Sequence, residues 1–574
     1  MKIIYGLQSI WEYPHQENTN YEVGLLSAQL NISWTIALIL YNRGYRTKEK
    51  ALRFLFPNDA DEVHDPSLLY NAENAAKRII HAIKNQERIL ICGDYDVDGI
   101  TGTSLLLHSL LELQAQANFF LPHRIRDGYG LSAKIIEKAK KAGYSLVITV
   151  DNGTCAFEAL KKASQLQLDV IVTDHHQPKE TPEGLLYLVN PHQKDCQYPF
   201  KELAGVGVAF KLIVLLYNLL GKKIPSKIYE LYMIGTIADL VPLVDENRYW
   251  VKQALDKITK KESPSITLLK KNAKFPKDKI LNSTDIAFSL APQLNALGRL
   301  DDPRNGVLFF VNDDETQLHA ISNQLYTLNE ERKKKEKTLS KELLHEIAHQ
   351  QIHPHETGCI IKASTLFPAG IIGLIAARVN QEYAVPACIF TETAEGILKG
   401  SCRTIPQCNI FKILSNIDQS LLLSFGGHKA AAGVSLHKKN LSTFSSLFSK
   451  EVLKICTKED FKNKINIDAF IEIDDINQKL WKDLSLMEPF GASNSTPLFC
   501  ITNAKIANIK IIKEVHVKIL LEGITKSVWT IFFNRADIIN HIKLRERISL
   551  VGKLTENTWE DKKILEIIGI DISL

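Results

Sequence analysis

The chain has 574 residues, 45% of them hydrophobic and 24% charged, which suits a soluble globular protein with about three or four domains of roughly 150 residues. Its net charge of +5 is too small to imply nucleic-acid binding by itself, so such a partner would need a local basic groove. The 9 cysteines are dispersed with no Cys-x-x-Cys pair, which argues against a disulfide framework or a common zinc site and for a reducing, cytoplasmic setting.

The start, Met1-Lys2-Ile3-Ile4-Tyr5-Gly6-Leu7-Gln8, lacks the charged-then-apolar pattern of an export signal. The longest apolar run, Leu212 to Leu220, is far too short to span a bilayer, so no membrane association is expected. Residues 1–50 carry no chemical signature. From Glu87 the pattern alternates: strands at Ile89–Cys92, Phe119–Leu121, Leu146–Val150 and Val170–Thr173, with helices at Thr101–Leu113, Ser132–Ala142 and Phe157–Leu166 between them. This predicts an α/β domain with a doubly wound parallel sheet. Val206–Leu220 and Ile228–Ile237 read as helices, the second stopped near Pro242. Leu318, Ile321, Leu325 and Leu328 share a helical face that begins a long connecting helix. Its basic run, Arg332-Lys333-Lys334-Lys335, is either a solvated face or a DNA contact, and the solvated face is favoured. A second, smaller α/β unit follows. The β-rich end, after about residue 465, suits an OB-like barrel or a generic sandwich. The expected division is 1–50, 51–317, 318–352, 353–460 and 461–574.

Asp94, Asp96 and Asp98 alternate directly after the apolar run Ile89-Leu90-Ile91-Cys92. Like charges this close repel, so folding alone gives no reason to gather them; a divalent cation does. Asp151-Asn152-Gly153 and Asp174-His175-His176 repeat the pattern of a strand followed by polar ligands. Ligands of parallel α/β sheets gather beyond the carboxyl ends of the strands, so these pieces should converge on one rim. Oxygen-rich donors with one or two imidazoles suit Mn²⁺ or Mg²⁺. A carboxylate shared by two such ions holds them about 3.5–4 Å apart, the spacing used in phosphoryl hydrolysis. A lone Asp-x-Asp is commonly a loop pair and a lone His-His more often structural; the ordered combination is much harder to reach by chance.

Asp94-Tyr95-Asp96-Val97-Asp98-Gly99, Asp151-Asn152-Gly153, Asp174-His175-His176 and Gly235-Thr236-Ile237-Ala238-Asp239-Leu240 resemble the four motifs of the DHH phosphoesterases. Within that superfamily the chain resembles the RecJ single-strand-specific DNA exonucleases from about residue 50 to the C-terminal barrel. The likeness includes Arg124-Ile125-Arg126-Asp127-Gly128-Tyr129-Gly130, Gly205-Val206-Gly207-Val208-Ala209-Phe210-Lys211, Asn295-Ala296-Leu297-Gly298-Arg299, Gly400-Ser401-Cys402-Arg403 and Gly426-Gly427-His428. It implies a parallel-sheet DHH catalytic domain, a connecting helix, a DHH-associated substrate-binding domain and an OB-like nucleic-acid-binding domain.

The resemblance also implies a hydrolase: a metal-dependent 5′-to-3′ exonuclease that cuts single-stranded DNA to 5′-mononucleotides in DNA repair and recombination. Asp98, Asp151, His175 and Asp239 would hold one Mn²⁺ or Mg²⁺ ion. Asp96 and a bridging Asp151 would hold the second, with Asp94 either a ligand or a supporting carboxylate. His176 would reach the scissile phosphate or orient the site, and Asp174 would place the imidazoles. Arg124, Ser401 and Arg403 would bind a terminal 5′-phosphate, Tyr129 would stack on a base, Arg299 would grip the strand and His428 would touch the terminal nucleotide. Implied partners are single-stranded DNA, single-strand-binding protein and a RecQ-type helicase, with the enzyme a monomer.

Phe367-Pro368 stands where the family commonly has Trp-His, Gln293 where Arg is frequent, and Cys402 where Gly or Ala is typical. These departures bear on contacts of the second domain and leave the metal motifs intact. Two other functions share the metal motifs. A small-substrate phosphoesterase, of the oligoribonuclease or cyclic-dinucleotide type, generally lacks the extra barrel. An inactive DNA-binding scaffold loses metal ligands, all of which are kept here.

Overall fold

The computed structural model describes residues 2–13, 19–123, 126–128, 130–178, 187–350, 353–559 and 562–574. They form two compact units, residues 57–332 with 488–495, and residues 1–56 with 333–487 and 496–574.

The first unit is built on a five-stranded parallel sheet in the order Gln116–Phe120, Arg88–Gly93, Leu146–Val150, Asp169–Thr173, Leu188–Val189. Every residue of Leu146–Val150 is buried, as expected for a parallel strand covered on both faces. Alternate residues serve the two faces. Ile89, Ile91, Ile148 and Val150 join the core beneath helices Val97–Glu112, Gly205–Leu219 and Lys227–Ala238. Leu90, Cys92, Val147 and Val170 join the core beneath helices Ala133–Lys141 and Phe157–Gln165. Helices Ala72–Lys84, Asp245–Lys260, Pro264–Asn272, Ala291–Leu300 and Arg304–Val311, which the sequence pattern does not assign, also belong to this unit.

One boundary differs from the sequence reading in a way that matters. The strand ends at Gly93, and the helix expected from Thr101 starts at Val97. Asp96 is its N-cap, accepting a hydrogen bond from the Gly99 N–H at 3.1 Å, and Asp98 sits in its first turn. A short polar side chain can satisfy the free amides at a helix start, where negative charge is also favoured. The alternation of the aspartates is therefore a loop-to-helix entry, not one face of a strand.

The second unit holds a five-stranded mixed sheet in the order Leu422–Gly427, Ala431–His437, Ile397–Arg403, Ala387–Glu392, Ile360–Ser364. Its last pair is parallel and the others antiparallel. At the C-terminus, Phe499–Ile512 pairs both with His516–Glu522 and with Arg547–Trp559. Ser527–Phe532 and Lys562–Ser573 complete the circuit, which closes a barrel and decides against a sandwich. Closure leaves no open sheet edge between these strands. The described residues before 51 are also structured in this unit. Strand Ser9–Tyr13 pairs with Lys2–Tyr5 and, in parallel, with Asn463–Asn466. Helices Asn20–Leu30, Trp34–Asn42 and Lys48–Leu55 follow.

The long helix runs Glu315–His349. Leu318 and Leu325 enter the core of the first unit, Leu343 and Ile347 that of the second. Lys333, Lys334 and Lys335 are exposed. Among the described residues no single helix is long and apolar enough to cross a membrane.

Glu230, on helix Lys227–Ala238, is buried with Ser263 as its hydrogen-bond donor. Burial pushes its pKa up to about 7, against an ordinary value of 4.5. A carboxylate whose pKa is raised by folding favours the folded state while protonated, and that contribution is lost as pH rises from about 4.5 through about 7. Glu230→Gln should therefore be within about 1 kcal/mol of the wild type at pH 5 and be more stable at pH 8, by about 3 kcal/mol. Paired thermal melts at the two pH values check this.

Candidate metal centre

The carboxyl ends of the parallel strands and the end of helix Lys227–Ala238, which carries Asp239, bring seven side chains together. Three sets have potential ligand atoms within 4.8 Å of one another: Asp94, Asp96 and Asp151; Asp151, His175 and His176; and Asp98, His175 and Asp239. Asp151 belongs to two of them. Its Oδ1 lies 3.1 Å from His175 Nε2 and 3.8 Å from His176 Nδ1. His175 Nε2 is also 3.7 Å from Asp239 Oδ2 and 3.9 Å from Asp98 Oδ2. The first set and the third are joined through Asp151 and His175. Two oxygen-rich subsites with imidazole on one side could hold Mn²⁺ or Mg²⁺.

Electrostatics set the cost of this arrangement. Asp98 is pushed up to about 7 by burial and the neighbouring Asp96 charge. Asp151 is held well above the ordinary carboxylate range by burial, then by Asp98, Asp96, Asp239 and Asp94. Asp239 is raised by burial and by Asp98 and Asp96. Groups that resist ionisation because of each other's charge are those a cation would relieve.

Backbone amides and a polar framework hold the carboxylates in place. Both Asp98 oxygens accept backbone hydrogen bonds at the start of helix Gly205–Leu219, from Gly205 at 2.6 Å and Val206 at 2.7 Å. Asn152 is 1% exposed; its amide donates to Cys92 O and Val150 O, and its Oδ1 accepts from the Leu131 N–H. Thr149 Oγ1 donates to Asn152 O, and Thr173 Oγ1 to Thr149 O. Asn190 Nδ2 donates to Thr154 Oγ1 and to His176 O. These bonds tie neighbouring strand ends to each other. The sequence reading gave no role to Asn152, Thr154, Asn190, Gly205 or Val206. Asn152 and Thr154 could be found by their nearness to Asp151 and Gly205 as a glycine where a helix begins; Asn190 carries no such signal.

Asp174 is not among the clustered ligand atoms. Its Oδ1 accepts from the His175 and His176 N–H groups and from His176 Nδ1 at 2.8 Å, while Oδ2 accepts from the Thr154 N–H. Burial would raise its pKa, but the His176 hydrogen bond and charge outweigh it and leave it at about 2. Burial likewise works to lower the His176 pKa; the bond and charge of Asp174 leave it raised.

A 370 Å³ pocket opens over the cluster, lined by Asp94, Asp96, Asp151, His176 and Asp239 with Asn295 and Arg299 from helix Ala291–Leu300. Arg299 thus lies beside the carboxylates. Ser401, Arg403 and His428 lie in the other compact unit. Ser401 and Arg403 are on strand Ile397–Arg403, where Arg403 Nη1 donates to Ser401 Oγ at 3.0 Å. The first turn of helix Ile372–Tyr383 lies over them: a Cβ on Gly373 would stand 3.0 Å from Arg403 Nη2 and from Ser401 Oγ. His428 is exposed just past strand Leu422–Gly427, and its N–H donates to Ala431 O. Arg124 and Tyr129 lie outside the described residues.

Of the residues that depart from the family pattern, Gln293, Phe367 and Cys402 are buried and Pro368 is half-buried. Gln293, in the first unit, is 1% exposed and donates to Leu269 O and Ser289 O. Phe367 is buried in the second unit's apolar core, and Cys402 is buried against Cys388.

Comparison with known proteins agrees with this architecture. Residues 88–236 match the DHH family N-terminal domain, 356–454 the DHHA1 domain and 467–571 the RecJ OB domain, which defines a DHH-type phosphoesterase framework. The chain is 35% identical to the single-stranded-DNA-specific exonuclease RecJ of Bacillus subtilis, over 96% of this chain and 69% of that protein. It is 31% identical to its counterpart in Salmonella typhimurium, over 88% and 90%. The crystal structure of Thermus thermophilus RecJ in complex with Mn²⁺ superposes with a TM-score of 0.83 at 26% identity, covering 98% of this chain and 79% of that one. The same protein has been crystallised with Mg²⁺. The chain belongs to the RecJ family.

A Cβ on Gly205 would stand 2.4 Å from Asp151 Cβ and 2.9 Å from Asp98 Oδ2. Gly205→Ala should displace both carboxylates, lower Mn²⁺ affinity at least tenfold by isothermal titration, and destabilise the fold by about 1–3 kcal/mol.

Proposed function

We propose that this protein is a metal-dependent exonuclease that degrades single-stranded DNA from a 5′ end to 5′-mononucleotides, in DNA repair and recombination. The observation that carries this reading is Asp151 standing between two carboxylate-rich subsites in a pocket that Arg299 also lines, within a chain of the RecJ family. Asp98, Asp151, His175 and Asp239 would hold one Mn²⁺ or Mg²⁺ ion; Asp96 and Asp151, supported by Asp94, would hold the other. When bound, such ions acidify water and neutralise phosphate charge.

The chain's own residues do the rest. Gly205 and Val206 orient Asp98. Asp174 accepts the Nδ1 proton of His176 and so orients that imidazole beside the pocket it lines, where it would meet a phosphate oxygen. Arg299 places a fixed positive charge against the same diester. In the second unit, Ser401 and Arg403 supply a hydroxyl and a guanidinium for a terminal phosphate dianion. The His428 imidazole would meet the terminal nucleotide, and the closed barrel would hold the trailing single strand. Arg124 and Tyr129 belong to this reading as a second phosphate ligand and a stacking ring. The division of labour follows: 51–317 for hydrolysis, 318–352 as connector, 353–460 and 461–574 for holding DNA.

Asp151→Asn should reduce hydrolysis of a 5′-phosphorylated single strand by at least a thousandfold in Mn²⁺, because one substitution removes a donor from both subsites. Oligonucleotides labelled at either end, followed by electrophoresis, test this together with polarity. Degradation from the 3′ end, or activity confined to dinucleotides, would contradict the proposal. Arg403→Ala should erase most of the preference for a 5′-phosphate over a 5′-hydroxyl, measured as the ratio of kcat/KM for the two substrates.

A further inference from the structure

Leu240 directly follows Asp239, where helix Lys227–Ala238 has ended. Its φ is 61°, in the left-handed region. An L side chain there crowds the following carbonyl, which is why helices that end this way usually place glycine or asparagine at the position. A leucine needs some compensation, and packing does not supply it: the side chain is 68% exposed. The apolar demand of the turn is met on either side, by Ile237 at 5% and Leu243 at 2% exposure. The two residues before it, Ala238 and Asp239, line the pocket, whose walls are mainly charged or polar apart from Tyr95; Leu240 follows them in the chain and is not itself part of that lining. Backbone strain kept at the rim of a site, with an apolar side chain offered to solvent, fits a group that meets a ligand.

We propose that Leu240 contacts the substrate, lying against the base or deoxyribose of a nucleotide beside the scissile phosphate. This rests on the single-strand reading of the site given above. The carboxylates would hold cations, and His176 and Arg299 carry the charge that meets the phosphate backbone; in the pocket lining only Tyr95 and Ala238 offer apolar side-chain surface, to which Leu240 would add. An unpaired nucleotide also exposes an apolar face, which a leucine can cover and which a stacked, paired base does not present. Leu240 would therefore favour single strands as well as tighten binding.

The test uses Leu240→Gly and Leu240→Asn, two residues suited to the left-handed conformation, so each variant should keep or raise the thermal midpoint. A set of 5′-phosphorylated oligodeoxynucleotides, each lacking one base near the 5′ end, serves as the probe in Mn²⁺. On the intact strand KM should rise about tenfold in both variants, by more than kcat falls. At one position the loss from the missing base and the loss from the variant should not add. Additive losses at every position in an active wild type overturn this inference alone, as does a lowered thermal midpoint in both variants. A wild type that degrades no single strand overturns the inference and the functional reading together.

Discussion

Mutual repulsion among carboxylates at one rim of a parallel sheet is the constraint on which the first unit depends. Asp98, Asp151 and Asp239 all have raised pKa values because they are buried beside each other's charge. The fold tolerates this through donors fixed in the backbone. The start of helix Gly205–Leu219 meets both oxygens of Asp98, and the start of Val97–Glu112 is capped by Asp96. Helix starts carry partial positive charge, so each offsets part of the repulsion before any cation arrives. The same amides leave the carboxylates little freedom to rearrange, which keeps the donor set ready for a cation.

Behind the ligands lies a layer of uncharged polar residues. Asn152, Thr149, Thr173, Thr154 and Asn190 bond to one another or to strand-end carbonyls, and each is buried. Networks of this kind stabilise little in net terms but penalise any shift that leaves a member unpaired. They join strand ends that are distant in sequence, so the spacing of Asp151 from Asp94 and from His175 is set by the sheet itself. Asp174 adds a charge beside this layer: its oxygens are spent on His176 and backbone amides, which accounts for its low pKa among neighbours whose pKa values are raised.

The cluster of candidate metal ligands was legible in the sequence because its residues interrupt regular hydrophobic runs with charges that folding does not require. The parallel sheet was legible because fully buried strands leave long apolar runs, as at Leu146–Val150. Three things were not. The start of the helix at Val97 was hidden because Asp96 and Asp98 look like ligands and not like a cap and first turn. The fold of residues 1–50 was hidden because strand Ser9–Tyr13 pairs with Asn463–Asn466, a partner hundreds of residues away. The polar layer was hidden because nothing in the composition of Thr149 or Asn190 distinguishes a strand-end brace from a solvated side chain.

The second unit is wrapped around the first in sequence, and one buried acid shows what this entails during synthesis. Asp571, 1% exposed, accepts hydrogen bonds from the Ser9 N–H at 3.0 Å and from Trp11 Nε1 at 3.2 Å. Trp11, fully buried in the finished unit, lies 560 positions upstream of this partner. At translation rates of roughly 5–20 residues per second, the indole waits about half a minute to two minutes for that acceptor to be made. The first unit, with residues 57–332 contiguous, can collapse early in that interval. The N-terminal strands meanwhile present an unpaired edge and an exposed tryptophan, a period of exposure that a ribosome-bound chaperone would be suited to cover.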